Sequence, residues 1–282
     1  MWKWHKSHLV IGAFLSVVLC ITAVVLIKRQ RHFTHFLKPI ELTTLSTGLP
    51  FIDCIYVINL DERPERWSYA KRCFDEQGLS VNRFSAINGW KIPLKKRKKL
   101  MEPAVPLLSG GALGCLLSHL SIYQDAVKRG FRTVWVCEDD IEFKEKAEVI
   151  SSLVQQLNQI DPEWDLLYTD YSERELELHP TRPGQVLYRG EKEVVSDDLM
   201  RIYGRYNTHS LLFSERGLKK IMSYFAALSL STPIDVDLHY VPGIREYSLR
   251  RDVVTSINDS SVLAVDGSSD TQVVSPLNSS SR

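Results

Sequence analysis

The chain has 282 residues, of which 44% are apolar and 24% are charged, and its formal net charge is +1. This composition is ordinary for a globular protein and provides ample length for a hydrophobic core. Because acidic and basic residues balance, the sequence excludes a global field for binding nucleic acid, and any charged site must be local.

An uncharged run near the N-terminus predicts a membrane anchor. Residues 9–27 read LVIGAFLSVVLCITAVVLI and follow a short flank at 1–8. At about 1.5 Å per residue this run is long enough to cross a bilayer. A cleaved signal peptide would have a shorter apolar core and a small-residue site after it, whereas KRQRHF follows here. The excess of Lys and Arg after the span favours a cytoplasmic C-terminal side. The alternative is a buried core helix.

The cysteines indicate a reduced compartment. The five cysteines are scattered and include no CxxC pair and no zinc-type spacing. In apolar strand patterns, a free thiol is usually a small hydrophobic side chain.

Residues 28–50 mix bases with Ser, Thr and a proline, which is typical of a stalk. We therefore predict a folded domain over 51–265 and a disordered, Ser-rich tail over 266–282. The domain begins with CIYVINL (54–60), an apolar and β-branched run typical of a buried strand. A helix follows from Pro64, which suits a first helical turn, and ends at Gly78.

Strands and helices alternate through the next hundred residues. VNRFSAING predicts a second strand and turn, and LLSGGALGCLLSHLSIYQDAVKRG predicts an amphipathic helix that ends at Gly130. RTVWVCEDD and WDLLYTD predict strands on either side of the helix KEKAEVISSLVQQLNQI. This alternation favours an α/β fold with a mostly parallel, Rossmann-like sheet flanked by helices.

A basic run, KKRKK at 95–99, lies before the long helix. It predicts a solvated loop or helix face, and contact with an anionic membrane surface near the anchor is the alternative.

The second half of the chain is less regular. Residues 172–200 are polar and Pro-rich and predict a long excursion over the active face. HSLLFS then predicts a strand, and a helix runs from Glu215 to about Leu228. In TPIDVDLHY, alternation predicts that Asp235 and Asp237 share one face of a strand.

Three consecutive acids, Glu138, Asp139 and Asp140, end the strand VWVC. Adjacent carboxylates repel one another, and an unpaired buried one is costly. In open α/β sheets, ligands bind beyond the carboxyl ends of the strands. Hard divalent cations prefer carboxylate oxygens and can bridge a diphosphate, so these acids indicate nucleotide-sugar transfer. The alternative is that they cap the next helix or pair with an arginine.

Other polar residues fall near the same sheet edge. Arg63 and Arg66 follow the first strand and could pair with phosphate. Ser118 and His119 lie in the helix before the acidic strand. A lone histidine is more often structural, and here its ring could hold the acidic loop in place.

Five segments in order, INLDERPERW, SAING, LSGGALGCLLSH, VWVCEDDIEF and PID, resemble the motif series of glycosyltransferase family 25 over about residues 54–261. That family includes bacterial lipopolysaccharide and lipooligosaccharide glycosyltransferases and the procollagen galactosyltransferases. The resemblance implies a GT-A-like fold, a hexosyltransferase activity with inversion, and Mn²⁺ or Mg²⁺ as cofactor. It also implies a nucleotide-sugar donor, UDP-galactose being expected, and a glycan acceptor. An anchored enzyme that faces the cytoplasm suits a lipid-linked glycan acceptor at a bacterial inner membrane, whereas a lumenal orientation would suit a secretory-pathway enzyme.

The resemblance also assigns roles to residues of this sequence. Asp140 and Glu138 match the metal-binding acids, and Asp235 matches a late acid that we expect to be the catalytic base, with Asp237 as second choice. The expected donor-binding residues are Asn59, Arg63, Arg66, Ser118, His119, Glu138 and Asp139.

Two departures from the family pattern bear on activity. The family usually has Glu where this chain has Ala112, so one carboxylate is missing. Where the family often has Gly-Thr-x-Gly-Tyr, this chain has NTHSLLF, so that Ser210 and Leu211 replace the Gly-Tyr pair. A catalytically degenerate binding or scaffolding protein is therefore an alternative, and a metal-dependent phosphohydrolase or nucleotidyltransferase is a third.

Overall fold

The computed structural model describes residues 33–101, 108–171 and 190–257. The strands in these residues are β1 (Cys54–Asn59), β2 (Asn82–Ser85), β3 (Thr133–Glu138), β4 (Ile141–Phe143), β5 (Leu166–Tyr168), β6 (Glu193–Val194), β7 (Leu199–Ile202), β8 (Ser210–Ser214), β9 (Glu246–Leu249) and β10 (Val254–Ser256). The α-helices are α1 (Pro64–Glu76), α2 (Leu94–Leu100), α3 (Gly110–Arg129), α4 (Glu148–Ile160), α5 (Glu215–Ala227) and α6 (Ile234–Asp237).

Eight strands form one sheet in the order β2-β1-β3-β8-β5-β9-β7-β6, and β4 pairs with β10 beside it. The strands β2, β1 and β3 are parallel, as predicted for the first half of the chain. Beyond β3 the sheet is mixed, because β8 is antiparallel to both β3 and β5. The prediction of a mostly parallel sheet is therefore wrong. Parallel neighbours need long crossover connections, and the short link between β6 and β7 forms an antiparallel pair instead.

Helices cover both faces of the sheet, which explains why the middle positions of its central strands form continuous apolar runs. In β1, Cys54 and Tyr56 pack with α3 and α5 on one face, whereas Ile55 and Val57 pack with α1 and α4 on the other. Side chains alternate between the faces of a strand, so a strand with two buried faces shows no polar alternation. The protein is thus an α/β fold of three layers.

The long helix α3 lies unusually close to the loop after β2. A Cβ atom at Gly114 would lie 2.3 Å from the carbonyl oxygen of Ile87, so only glycine allows this approach. The helix begins at Ser109, whose Oγ accepts a hydrogen bond of 3.0 Å from the backbone amide of Ala112. It ends at Gly130 in the left-handed conformation, with φ of 70°.

Residues 33–50 pack against the domain, although the sequence predicts a stalk over 28–50. Phe33 and Ile40 are buried in the core on the α3 side of the sheet. Asn82 in β2 accepts hydrogen bonds of 2.8 and 3.1 Å from the backbone amides of Thr43 and Thr44. The folded part therefore starts well before Phe51. The sequence concealed this because isolated apolar residues between polar ones form no regular period.

Part of the predicted excursion at 172–200 is strand. Residues 190–200 of that segment are described and include β6 and the start of β7, which pairs with β9. The KKRKK run lies on α2, where its four lysines are exposed. In the three described ranges, we find no helix with the length and apolarity that crossing a membrane requires. The predicted anchor at 9–27, the flank at 1–8 and the tail at 266–282 lie outside these ranges.

Candidate active site

The acidic segment lies where β3 ends, in the middle of the sheet. Glu138 closes the strand, and its backbone amide donates a hydrogen bond of 2.8 Å to the carbonyl oxygen of His209 next to β8. Asp139 and Asp140 form the turn into β4, and the carbonyl oxygen of Asp140 accepts a bond of 2.7 Å from the amide of Ile257. The backbone of the turn is thus fixed from both sides, so the three carboxylates have defined directions.

Asp139 is paired with residues from β1 and α1. Its buried carboxylate accepts a hydrogen bond of 2.6 Å from the side-chain amide of Asn59. The guanidinium of Arg66 lies 3.5 Å from its other oxygen. Burial nevertheless raises the pKa of Asp139, because it outweighs the Asn59 hydrogen bond and the Arg66 charge. The structure therefore brings these three predicted site residues together. Arg63 lies beside them, and its carbonyl oxygen accepts a bond of 3.0 Å from the Asn59 amide.

Glu138 is held by residues from α3 and from the loop before β8. The hydroxyl of Thr208 donates a hydrogen bond of 2.7 Å to its Oε1, and Nε2 of His119 lies 3.6 Å from the same oxygen. Burial alone would raise the pKa of Glu138, but the contacts with His119 and Thr208 outweigh burial and lower it. Glu138 is thus positioned as a carboxylate, with its side chain 30% exposed.

The hydroxyl of Ser118, the neighbour of His119, bonds to backbone groups. It donates a bond of 2.7 Å to the carbonyl oxygen of Gly114 and accepts one of 2.8 Å from the amide of Ile87. Both contacts join α3 to the loop after β2. Successive residues of a helix point in different directions, so Ser118 faces this loop while His119 faces the acidic turn.

Asp140 is the least compensated of the three acids. Its Oδ1 atom is buried and has no hydrogen-bond partner among the described residues. Burial, followed by repulsion from Glu138 and Asp139, raises the pKa of Asp140 to about 7. A carboxylate oxygen that is oriented but unsatisfied suits a divalent cation, and magnesium-like sites often use one or two carboxylates plus substrate phosphates. Asp140 and Glu138 are therefore the residues that fit such a cation.

Asp235 lies near the acidic turn, but Asp235 and Asp237 do not share the face of a strand. Residues 234–237 form the short helix α6, so the prediction of a shared strand face is wrong. Asp235 is half-buried, and its Oδ2 accepts a bond of 3.3 Å from the amide of Asn207. Burial outweighs its backbone hydrogen bonds and raises the pKa of Asp235.

Asp237 is fully buried, and its Oδ1 accepts a bond of 3.2 Å from the hydroxyl of Tyr224. Alternation of acids thus misled the prediction, because Pro233 starts a helix here.

Sequence analysis missed a buried ionic group next to the acids. Arg205 donates a hydrogen bond of 2.8 Å to Asp170, and its guanidinium lies 4.7 Å from the centre of the Tyr168 ring. Nε2 of His209 lies 3.4 Å from the same carboxylate. His209 and Arg205 outweigh burial and lower the pKa of Asp170. The sequence does contain a signal for this group, namely its position after a strand. Asp170 lies just after β5, as Glu138 lies at the end of β3, and polar residues at the ends of two buried strands that run in the same direction meet at one edge of the sheet.

His239 fixes the loop that carries Arg205 and Asn207. Its Nδ1 lies 2.8 Å from both carboxylate oxygens of Glu246, and its Nε2 lies 2.7 Å from the carbonyl oxygen of Arg205. All of these groups are buried. Burial would lower the pKa of His239, but Glu246 and the Arg205 carbonyl raise it above its ordinary value. A protonated His239 donates from both ring nitrogens and so joins β9 to the loop at Asn207, whose φ is 77°.

Comparison with known proteins gives a consistent family match. The protein family described as "Glycosyltransferase family 25 (LPS biosynthesis protein)" matches residues 52–237, which include every predicted site residue. A glycosyltransferase 25 family member of Drosophila melanogaster is 29% identical to the chain over 73% of its length and 32% of the relative. Procollagen galactosyltransferase 2 of Homo sapiens is 28% identical, over 41% of the chain and 20% of the relative.

A further relative is named "Inactive glycosyltransferase 25 family member 3" and comes from Homo sapiens. It is 29% identical to the chain, over 41% of the chain and 21% of that protein. The chain therefore spans about a third or less of the length of these relatives.

Proposed function

Because this chain belongs to glycosyltransferase family 25, we propose that it transfers a hexose from a nucleotide-sugar donor to a hydroxyl group of a glycan acceptor. The observation that carries the proposal is the acidic turn after β3, where Asp140 presents a buried oxygen without a partner in the described structure. A purely structural acid cluster would be expected to satisfy all of its carboxylates. Here Asp139 is paired, Glu138 is oriented, and Asp140 is left to a ligand.

A divalent cation, Mn²⁺ or Mg²⁺, suits the two acids on either side of Asp139. Asp140 would hold it through the unsatisfied Oδ1, and Glu138 is the second carboxylate, oriented by Thr208. When bound, such a cation neutralises the charge that develops on a departing diphosphate. The Asn59–Asp139–Arg66 group keeps the turn in place, and Arg66, whose side chain is 20% exposed, can offer its remaining N–H groups to phosphate.

Asp235 is our choice for the catalytic base. It is half-buried, lies near Glu138, and has a raised pKa, which brings the carboxylate closer to the range useful for general-base catalysis. In the proposed reaction the acceptor hydroxyl oxygen forms a bond to the anomeric carbon of the donor, and its proton passes to Asp235. The bond from that carbon to the donor diphosphate breaks on the opposite face, which inverts the configuration and releases a nucleoside diphosphate.

For the donor we propose UDP-galactose, since one relative is named a procollagen galactosyltransferase. For the acceptor we propose a glycan such as lipopolysaccharide, because the family description names lipopolysaccharide biosynthesis. A membrane anchor at residues 9–27 would keep the enzyme beside a lipid-linked acceptor. We place the catalytic domain on the cytoplasmic face of a bacterial inner membrane, from the Lys and Arg bias around that segment.

A degenerate binding protein is the second candidate. One relative is named inactive, and Ala112 replaces a carboxylate that the family usually has. In the structure, Ala112 is buried near the start of α3. The two candidates share the site and differ only in turnover.

Thermal stability of the full chain against a panel of nucleotide sugars, with and without MnCl₂, tests the proposal. A ligand that binds only the folded state at 100 times its Kd adds about 2.7 kcal/mol of stability. We expect one donor to stabilise the protein in the presence of Mn²⁺ and Asp140→Asn to abolish that effect. Asp75→Asn is the matched control, because Asp75 lies on the exposed side of α1 and pairs with Lys71.

Each outcome of this experiment decides between the candidates. Stabilisation together with release of nucleoside diphosphate on adding acceptor supports the transferase. Stabilisation without turnover on any acceptor favours the binding protein. A cooperatively melting protein that no donor stabilises would rule out both.

A further inference from the structure

A second group of potential metal ligands lies beside the acidic turn. Cys115 and His119 are four residues apart in α3, and side chains with this spacing lie on the same face of a helix. The close approach that Gly114 allows brings α3 against the loop after β2, and this face of the helix meets the end of β3 at Glu138. The sequence shows no zinc-type spacing because the third residue comes from a different element.

The three side chains converge closely enough to share an ion. One ligand atom from each of Cys115, His119 and Glu138 lies within 4.8 Å of the other two. The His119 Nε2 and Glu138 Oε1 atoms are 3.6 Å apart. In a tetrahedral zinc site, nitrogen and oxygen ligands lie about 3.3 Å apart, and sulfur and nitrogen ligands about 3.6 Å. Movements of the side chains by about 1 Å would therefore complete the geometry.

His119 itself indicates a ligand. Its side chain is fully buried, and in the parts of the chain that the structure describes Nε2 makes no hydrogen bond, since the Glu138 carboxylate at 3.6 Å lies just beyond hydrogen-bonding distance. A buried ring nitrogen without a partner is costly, and most such atoms in proteins are satisfied. The other nitrogen, Nδ1, lies 3.1 Å from the hydroxyl of Tyr123, one helical turn further on. Without metal, a proton on Nε2 points toward the Glu138 carboxylate, whose Oε1 lies 3.6 Å away. When the proton lies on Nδ1 instead and is donated to the Tyr123 hydroxyl, the Nε2 lone pair is free for a metal, which is the tautomer that a metal requires.

We propose that Cys115, His119 and Glu138 form a binding site for a borderline-soft divalent cation of the Zn²⁺ type. Thiolate and imidazole ligands select Zn²⁺ over Mn²⁺ and Mg²⁺, which prefer oxygen. Three protein ligands leave the fourth position of the ion for water, as in open zinc sites. Binding converts the Cys115 thiol to a thiolate and releases its proton to solvent.

This site goes beyond the proposed sugar transfer and would regulate it. Glu138 belongs both to this group and to the pair of acids proposed for Mn²⁺ or Mg²⁺. An ion held by the Cys115 thiolate therefore competes for Glu138 with the cation that the donor needs. Zn²⁺ is then expected to inhibit transfer, and Cys115→Ser to relieve that inhibition.

The test is titration of the full, metal-free chain with ZnCl₂ by calorimetry, without donor or acceptor. We expect one Zn²⁺ per chain and a loss of affinity of about 100-fold or more in Cys115→Ser, since removing even an outer partner costs 10 to 100-fold. Cys73→Ser is the matched control, because Cys73 is also a partly buried free cysteine on a helix. With CoCl₂ in place of zinc, a thiolate-to-cobalt charge-transfer band should appear in wild type and Cys73→Ser and be absent in Cys115→Ser.

Tyr123→Phe supplies a second test if Cys115→Ser does not fold. It keeps the ring that packs on Phe213 and removes only the hydroxyl beside His119, so we expect zinc affinity to fall 10 to 100-fold. Absence of zinc binding in folded wild type, or unchanged affinity in whichever of the two variants folds, would overturn the proposal. Because neither readout uses a nucleotide sugar, failure of the proposed transferase activity would leave this result unaffected.

Discussion

The side-chain amide of Asn59 donates a hydrogen bond of 2.6 Å to the carboxylate of Asp139, across the ends of two neighbouring parallel strands. Asn59 has a second contact with the carbonyl oxygen of Arg63, at the start of α1. One amide therefore connects β1, α1 and the acidic turn. The buried carboxylate of Asp139 depends on this hydrogen bond, because its counter-charge, Arg66, lies 3.5 Å away.

Asn59→Ala should destabilise the protein by about 1–3 kcal/mol, because it leaves the Asp139 carboxylate buried with one partner fewer. Urea unfolding measures the change. The double variant Asn59→Ala with Asp139→Asn should lose less than the sum of the two single variants. Additive effects would mean that the contact does not couple these residues.

Asp140→Asn should stabilise the protein in the absence of metal, on the order of 1 kcal/mol at pH 8. The pKa of Asp140 is raised to about 7, so at pH 8 the wild-type carboxylate is mostly charged. That charge is buried and is repelled by Glu138 and Asp139, and both effects destabilise the folded protein. Melting in the presence of a chelator measures this. The exposed substitution Asp75→Asn should not stabilise the protein, and a loss of stability in Asp140→Asn would show that this carboxylate has a partner.

Asp235→Asn should lower kcat by about 100 to 10,000-fold with little change in the donor KM, which is the usual contribution of a positioned base. Initial rates of nucleoside diphosphate release measure it. Asp237→Asn is the matched control two residues away. Asp237 is buried against Tyr224, so its substitution should lower the melting temperature and leave kcat of the folded enzyme near wild type. Normal turnover in Asp235→Asn would exclude this residue as the base.

The His239–Glu246 pair should make stability depend on pH. The pKa of His239 is raised in the folded state, so the folded protein holds this proton more tightly than the unfolded chain. The stabilisation from the protonated His239 is fully present below about pH 6.5, the pKa of a histidine in the unfolded chain. It is lost as the pH rises through the pKa of His239 in the folded state. Urea midpoints measured from pH 6 to 9 should therefore fall more steeply in wild type than in His239→Gln.

His35→Gln is the control for that experiment, because His35 is exposed and should leave the wild-type slope unchanged. Asp140 also titrates in this range, and it is present in all three proteins, so only the difference between the slopes reports on His239. Equal slopes in wild type and His239→Gln would show that the pair does not stabilise the fold through its charge.

The first half of the fold was predictable because its signals are local. An apolar run such as residues 54–60 forms a buried strand in most contexts, and Pro64, Gly78 and Gly130 mark helix boundaries through their own backbone preferences. The helix α6 was missed because four residues are too few to show a period, and the alternating acids Asp235 and Asp237 imitate a strand.

The sequence by itself determined the α/β class, the order of most elements, the family and the position of three acids at a strand end. Each of these follows from periodicity, turn residues or motif order along the chain. Only the tertiary structure decided what each acid does: Asp139 is paired, Glu138 is oriented, and Asp140 has no hydrogen-bond partner for Oδ1 in the described residues. The partners come from β1, α1, α3 and the loop before β8, and contacts between residues so distant in sequence depend on how the sheet and helices pack. The convergence of Cys115, His119 and Glu138 has the same cause.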